Sequence, residues 1–280
     1  MIIRQALTNG RRMLEEYEIE DAPLEAEILL REVLEKTRVE LYLDLDSELS
    51  PQQYNAYRVL VRRRCHDEPT AYILGRREFY GRDFLVDNRV LVPRPETELL
   101  VEKAIEFARG YEAPLLADVG TGCGAIAIVL ALEIPESTVY ATDVSADALR
   151  VARKNCDKHD AGRRVRFLKG DLLNVLPESV DIITANLPYV READLPRTST
   201  VSAEPRLALD GGVEGLGQVR QLCHQAGQKL RPLGHLLLEV GQGQAGAVAI
   251  LLRGLFPGAR LEIIPDLSGI ERVVSLSLSQ

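Results

Sequence analysis

Leu115-Leu116-Ala117-Asp118-Val119-Gly120-Thr121-Gly122-Cys123-Gly124-Ala125 is the stretch that decides the fold. An apolar run of strand length enters three glycines in five positions, and a helical run starts near Ala125. Glycine adopts backbone angles closed to other residues and lets a ligand approach the chain closely. Strand, glycine turn and helix in that order open a crossover unit of a parallel sheet, and ligands of such sheets bind beyond the carboxyl ends of the strands. Asp143 ends the next strand, 19 residues after Gly124. A carboxylate placed there can accept hydrogen bonds from both hydroxyls of a ribose, so the pair predicts nucleoside binding. A tight turn packed on its own helix is the plainer alternative.

Outward from this loop, short apolar runs alternate with helical stretches. Residues 115–119, 139–142, 165–168, 182–185 and 236–240 read as strands, with helices between most of them. The last two runs, 261–264 and 272–278, are joined by only seven residues, 265–271. A parallel pair needs a dozen or more connecting residues, so these two are expected to be antiparallel. The fold class is therefore α/β, a Rossmann-like sheet of seven strands with the last one antiparallel, behind a small N-terminal helical domain. Within residues 1–75, Ile3, Leu7, Leu14 and Tyr17 repeat at helical spacing, as do Leu24, Ile28 and Leu34. Ser50-Pro51-Gln52-Gln53 carries a capping residue, a proline at the first helical position and a capping-box glutamine. Tyr54, Tyr57, Val61 and Cys65 then share one helix face. Residues 76–92, with Phe79-Tyr80-Gly81, suggest a hairpin linker, and 93–280 the catalytic domain.

Composition narrows the function. No run approaches 18 apolar residues, which argues against a membrane span, and the start has no secretory pattern. Four dispersed cysteines and four histidines show no metal-ligand spacing, so reduced thiols, a cytoplasmic setting and no metal are expected. The net charge of −8 is unevenly spread. Residues 1–57 carry 6 basic and 13 acidic side chains, whereas 58–94 carry nine arginines against 5 acids. That arginine segment suits an acidic partner or RNA, or else a solvated linker face. An acidic chain is poorly suited to tight autonomous binding of duplex DNA, so no stable nucleic-acid partner is expected.

The bound nucleoside could belong to NAD or to S-adenosylmethionine; without Gly-Lys-Ser/Thr the loop is not a P-loop. Asn186-Leu187-Pro188-Tyr189, at the end of the fourth strand, breaks the tie. A nitrogen conjugated to a π system is a poor nucleophile because its lone pair is delocalised. Two acceptors holding its N–H bonds orient that lone pair and stabilise the positive charge that develops. Asn186 Oδ1 and the Leu187 carbonyl are the candidate acceptors. Pro188 sets the turn, and Tyr189 offers an aromatic face to a flat substrate. Asp171 and Leu172, after the third strand, are the expected adenine contact; Asp171 as a helix cap is the alternative.

At this point the sequence resembles the protein-glutamine N5-methyltransferases of bacterial class 1 peptide chain release factors. Further shared segments are Pro69 to Gly75, Phe79-Tyr80-Gly81 and Val92-Pro93-Arg94-Pro95-Glu96-Thr97-Glu98. Glu204-Pro205 through Gly211-Gly212, Glu239-Val240-Gly241 and Asp266 to Val274 follow. The resemblance implies a class I methyltransferase sheet, S-adenosyl-L-methionine as cofactor with S-adenosyl-L-homocysteine as product, and the glutamine of a release factor's Gly-Gly-Gln loop as acceptor. It assigns Gly120, Thr121, Gly122, Cys123, Gly124, Asp143, Asp171, Leu172 and Asn186 to the cofactor. Asn186, Leu187, Pro188 and Tyr189 go to the substrate, with Asn186, Pro188 and Tyr189 serving catalysis. The acidic helical domain, residues 1–75, is expected to dock the substrate, the plainer alternative being that it only covers apolar surface of the catalytic domain. Leu187 departs from the family's usual proline. The change keeps the carbonyl and loses rigidity, and it keeps open the alternative of adenine N6 methylation on RNA or DNA. Cys123 replaces a small Ser or Thr and reads as a size-compatible substitute.

Overall fold

The computed structural model describes residues 1–195 and 203–279. The chain divides into two units, Met1–Arg76 on one side and Arg77–Leu195 with the chain from Glu204 onward on the other.

The first unit holds helices α1 (Ile3–Glu16), α2 (Ala22–Leu34), α3 (Arg38–Leu43), α4 (Pro51–Cys65) and α5 (Thr70–Leu74). As the sequence indicates, Ser50 caps α4 with Pro51 at its first position; Ser50 Oγ accepts from Gln53 N at 3.1 Å and Gln53 Oε1 from Ser50 N at 3.0 Å. The core gathers Leu14, Leu29, Leu30, Leu41, Tyr57 and Val61. Tyr17 and Leu24, expected on buried faces, are exposed instead. Tyr17 lies just past the end of α1, and α2 packs through Ala22, Ala26, Leu29 and Leu30. Small alanines allow close helix approach there, which shifts the buried stripe away from the larger residues.

The arginine segment is not a free basic strip. Arg63 pairs with Glu68, Arg64 with Glu25 and Arg76 with Glu32 in the first unit; in the second, Arg82 pairs with Glu133, Arg89 with Asp87 and Arg94 with Glu204. Six of its nine arginines are thus matched within the chain.

The second unit opens with a two-stranded sheet, β1 (Arg76–Phe79) and β2 (Arg82–Leu85), then α6 (Glu98–Ala108) behind a 3-10 turn, Pro95–Thr97. Its main sheet contains β3 (Leu115–Val119), β4 (Thr138–Asp143), β5 (Val165–Lys169), β6 (Val180–Ala185), β7 (Leu230–Glu239), β8 (Arg260–Pro265) and β9 (Glu271–Ser277) in the order β5-β4-β3-β6-β7-β9-β8. Five strands are parallel neighbours, and β9 runs antiparallel to both β7 and β8. The short 265–271 connection forces that reversal. Helices α7 (Ala125–Glu133), α8 (Ala146–Lys158), α9 (Arg206–Leu209), α10 (Gly217–Lys229) and α11 (Ala245–Leu255) complete the unit. Strand order turns at β3, which pairs with β4 on one edge and β6 on the other, so the crevice opens at its carboxyl end.

Asn155 on α8 ties the small sheet to the glycine loop. Wholly buried, it accepts from Leu85 N at 2.7 Å and donates to Leu85 O at 3.0 Å and Cys123 O at 2.9 Å. Replacing it with an apolar residue leaves three backbone groups without their partner, and for the buried Cys123 O an unmade hydrogen bond costs about 1–3 kcal/mol. Asn155→Leu is therefore expected to lower the unfolding free energy by about 2–5 kcal/mol, measured by urea denaturation followed by circular dichroism. Unchanged stability would show that this side chain does not hold the loop.

Candidate active site

The glycine loop turns where β3 ends. Gly120, Gly122 and Gly124 have φ of +73°, +55° and +85°, a region that favours glycine. Gly120 N and Thr121 N both donate to Thr142 O, at 2.9 and 3.0 Å, which pins the loop to β4. A β-carbon on Gly120 would fall 2.9 Å from Leu187 Cδ2. Beneath the loop Asp118 is fully buried, accepting from Thr121 Oγ1 at 2.6 Å and Thr184 Oγ1 at 3.2 Å. Burial pushes its carboxyl up to about 6, against the lowering effect of those hydroxyls.

Asp143 holds the second element of the site. Its Oδ2 accepts from Gly122 N at 2.9 Å and its Oδ1 from Ser145 N at 2.8 Å. Two carboxylate oxygens offer about four lone-pair sites, so both retain capacity for further donors such as a pair of hydroxyls. Burial raises its pKa and the backbone N–H groups pull it down. Ser145 in turn caps α8, accepting from Ala148 N at 3.1 Å.

A cleft enclosing about 920 Å³, open solvent at its mouth included, lies over these strand ends. Of the residues expected from sequence, Gly120, Gly122, Asp143, Asp171, Leu172, Asn186, Leu187 and Pro188 line it together. Thr121, Cys123, Gly124 and Tyr189 are not in its wall: Thr121 turns its hydroxyl to Asp118, and Cys123 is buried with its thiol pushed up to about 12. Gly124 caps α7. Asp171 Oδ2 accepts from Gln221 Nε2 at 2.6 Å, and Leu172 sits at φ +50°, an uncommon angle for a leucine. Sequence reasoning missed Val90, Leu91, Leu207 and Ala208, apolar parts of the wall. Val90 and Leu91 lie between the hairpin and the Val92–Glu98 segment, and Leu207 and Ala208 lie in the Glu204–Gly212 segment, to which the sequence assigns no chemistry.

Those segments prove to be joints. Arg94 Nη2 donates to Glu204 Oε2 at 2.6 Å while Val92 N donates to Glu204 Oε1 at 3.0 Å. Glu98 Oε1 accepts from Tyr80 N at 2.9 Å. Asn186 Nδ2 donates to Thr97 Oγ1 at 3.1 Å, so the amide oxygen is the end left for another partner. Leu187 is buried at 4% exposure, its side chain filling the space under Gly120. It therefore acts as packing as well as supplying a carbonyl. Tyr189 O accepts from Gln244 Nε2 at 2.9 Å, and Val190 exchanges bonds with Leu209 O (3.0 Å) and Gly211 N (2.8 Å). A β-carbon on Gly211 would meet Pro188 O at 2.7 Å, which explains the glycine there. Among the described residues no group of three or more His, Cys, Asp or Glu could hold a metal ion, and no helix is long and apolar enough to cross a membrane.

Residues 5–75 match the family model described as PrmC N-terminal domain, and residues 96–211 match that of the methyltransferase small domain. The release factor glutamine methyltransferase of Moorella thermoacetica is 41% identical over 274 residues, covering 97% of each chain. The protein of that name from Neisseria gonorrhoeae is 42% identical over 255 residues, 89% of this chain and 91% of its own. A methyltransferase structure from Pyrococcus furiosus superposes with a TM-score of 0.52 at 19% identity, over 72% of this chain and 91% of that one, which supports the class I methyltransferase fold alone. With relatives of this identity along nearly its whole length, the chain belongs to the release factor glutamine methyltransferase family.

Proposed function

We propose that this protein transfers a methyl group from S-adenosyl-L-methionine to the side-chain amide nitrogen of a glutamine in a class 1 peptide chain release factor, the glutamine of its Gly-Gly-Gln loop. The observation that supports this is one cleft lined by Gly120, Gly122 and Asp143 together with Asn186, Leu187 and Pro188. The bare backbone of Gly120 and Gly122 gives a nucleoside room, and the spare lone pairs of Asp143 suit its ribose. Asp171 and Leu172 would flank its base. When bound, the sulfonium donor supplies an activated methyl, so no covalent intermediate on the protein is needed.

The chain's own task is alignment. Asn186 Oδ1 and the Leu187 carbonyl would take the two N–H bonds of the substrate amide, directing its lone pair at the methyl carbon and stabilising charge as it builds on nitrogen. Pro188 holds the turn and Tyr189 stands behind it. Adenine N6 methylation would use the same acceptors, but the cleft wall carries Asp143, Asp171 and Asp210 against Arg89 alone, a poor surface for a phosphate backbone. Labelled cofactor offered with a release factor and with structured RNA should mark the release factor; label confined to RNA would overturn the proposal.

The helical unit is proposed as the docking element. Its α3 exposes Val39 at 69% and Leu43 at 79%, apolar side chains without a role in the unit's core. Leu43→Glu should raise KM for whole release factor several-fold, on the order of 1 kcal/mol, with kcat unchanged; an unchanged KM for this variant and for Val39→Glu would remove α3 from the contact.

Two substitutions separate the two sets of lining residues. Asp143→Ala should weaken cofactor binding roughly tenfold to a hundredfold by calorimetry, the scale of a charge-assisted hydrogen bond. Asn186→Ala should lower kcat on the order of 10²–10³ while cofactor affinity falls much less. The reverse pattern would exchange the two assignments.

A further inference from the structure

We infer that Thr97 and Glu239 are positioning residues that fix which end of the Asn186 amide faces the substrate, an inference that rests on the methyl-transfer reading above. An asparagine amide is nearly symmetric in shape, yet only its oxygen can accept the N–H of a substrate amide. Something must therefore dictate its orientation. Asn186 Nδ2 donates to Thr97 Oγ1 at 3.1 Å. Thr97 is 4% exposed, so the hydroxyl proton needs a buried acceptor. We assign that role to Glu239 at the end of β7, itself 3% exposed, whose charged form the neighbouring Thr97 and Asn186 side chains favour. A carboxylate only accepts. On that assignment the chain runs from amide N–H to hydroxyl, at 3.1 Å, and from hydroxyl toward the carboxylate, which leaves Asn186 Oδ1 for the substrate.

The three residues come from the turn before α6, the end of β6 and the end of β7. Glu239 Oε2 is buried without a hydrogen-bond partner in the described residues. A carboxylate so poorly solvated is costly to the fold and is better explained by the site than by stability. Around it stand Arg272, itself bonded to Asp266 at 3.0 Å, and Glu96 and Tyr189. Burial pushes Glu239 up to about 7; Thr97, Arg272 and Asn186 lower it and Glu96 raises it. Once protonated, Glu239 can donate to Thr97, the chain can reverse, and the Asn186 amino group then faces the substrate.

The sign of the pH dependence follows. The folded-state pKa lies above the ordinary 4.5, so the stability that neutral Glu239 contributes is complete below about 4.5 and is lost as pH rises through about 7. Activity runs the other way, rising through the same interval, a pattern that a purely stabilising residue would not give.

The test uses the full chain with whole release factor. Wild-type kcat should show an acid limb with its midpoint near 7. Glu239→Gln, whose amide can donate to Thr97, should lose roughly ten- to a hundredfold in kcat and lose that limb, with KM and cofactor affinity within about twofold. Thr97→Val should behave alike, and Thr97→Ser should recover most of the rate. Carboxyl-carbon NMR of glutamate-labelled protein should find Glu239 titrating near 7, and higher in Thr97→Val. Full kcat with an unchanged acid limb in Glu239→Gln, loss of cofactor affinity in step with kcat, or a Glu239 titration indifferent to Thr97→Val would overturn the relay. The NMR arm decides this even if the wild-type protein methylates something other than a release factor, which would instead defeat the functional reading.

Discussion

Everything in the site depends on the absence of a side chain at Gly120. Gly120 holds φ of +73° at the end of β3, and a β-carbon there would fall 2.9 Å from Leu187 Cδ2, so that the Leu187 side chain would have to shift. That contact brings the glycine loop and the Asn186 turn to one wall of one cleft. It also sets the angle of the loop, whose N–H groups reach back to Thr142 O and whose Gly122 reaches Asp143. A nucleoside cradle and an amide-holding turn thus share a boundary because two parallel strands are neighbours at the place where strand order reverses.

Around this contact the chain spends many buried polar groups on position rather than chemistry. Asp118 braces the loop through Thr121 and Thr184, Asn155 fastens it to β2, and Glu204 gathers Val92 and Arg94. Each is a buried group with at least one partner from a distant part of the sequence, so each fixes a geometry that apolar packing alone leaves loose. Thr97 and Glu239 extend the same logic to the Asn186 amide.

The frame of this architecture was legible in the sequence for simple reasons. Strands buried on both faces read as apolar runs, glycine spacing marks the turn, and a seven-residue link cannot cross a sheet, so the antiparallel position of β9 followed from counting. The Ser50 cap was legible because its pattern is local. What stayed hidden was long-range. Four of the six ion pairs that absorb most of the arginine segment join residues tens of positions apart, and the buried stripe of α2 follows alanines that carry little hydrophobic signal. Leu187 reads from sequence as a backbone carbonyl acceptor; its side chain proves to be part of the core, which only three-dimensional packing reveals. Thr121 and Cys123 sit in the glycine motif yet face inward, because alternate positions of a tight turn cannot all point at the cleft.

The central claim is that this cleft aligns a glutamine side-chain nitrogen for methylation. Fragmentation mass spectrometry of a release factor after reaction with the protein and S-adenosyl-L-methionine addresses it most directly. The account predicts a single added methyl group, located on the amide nitrogen of the Gly-Gly-Gln glutamine and absent when Asn186→Ala replaces the wild-type chain. A methyl group found on another side chain, or on the same glutamine at an undiminished rate with Asn186→Ala, would contradict it.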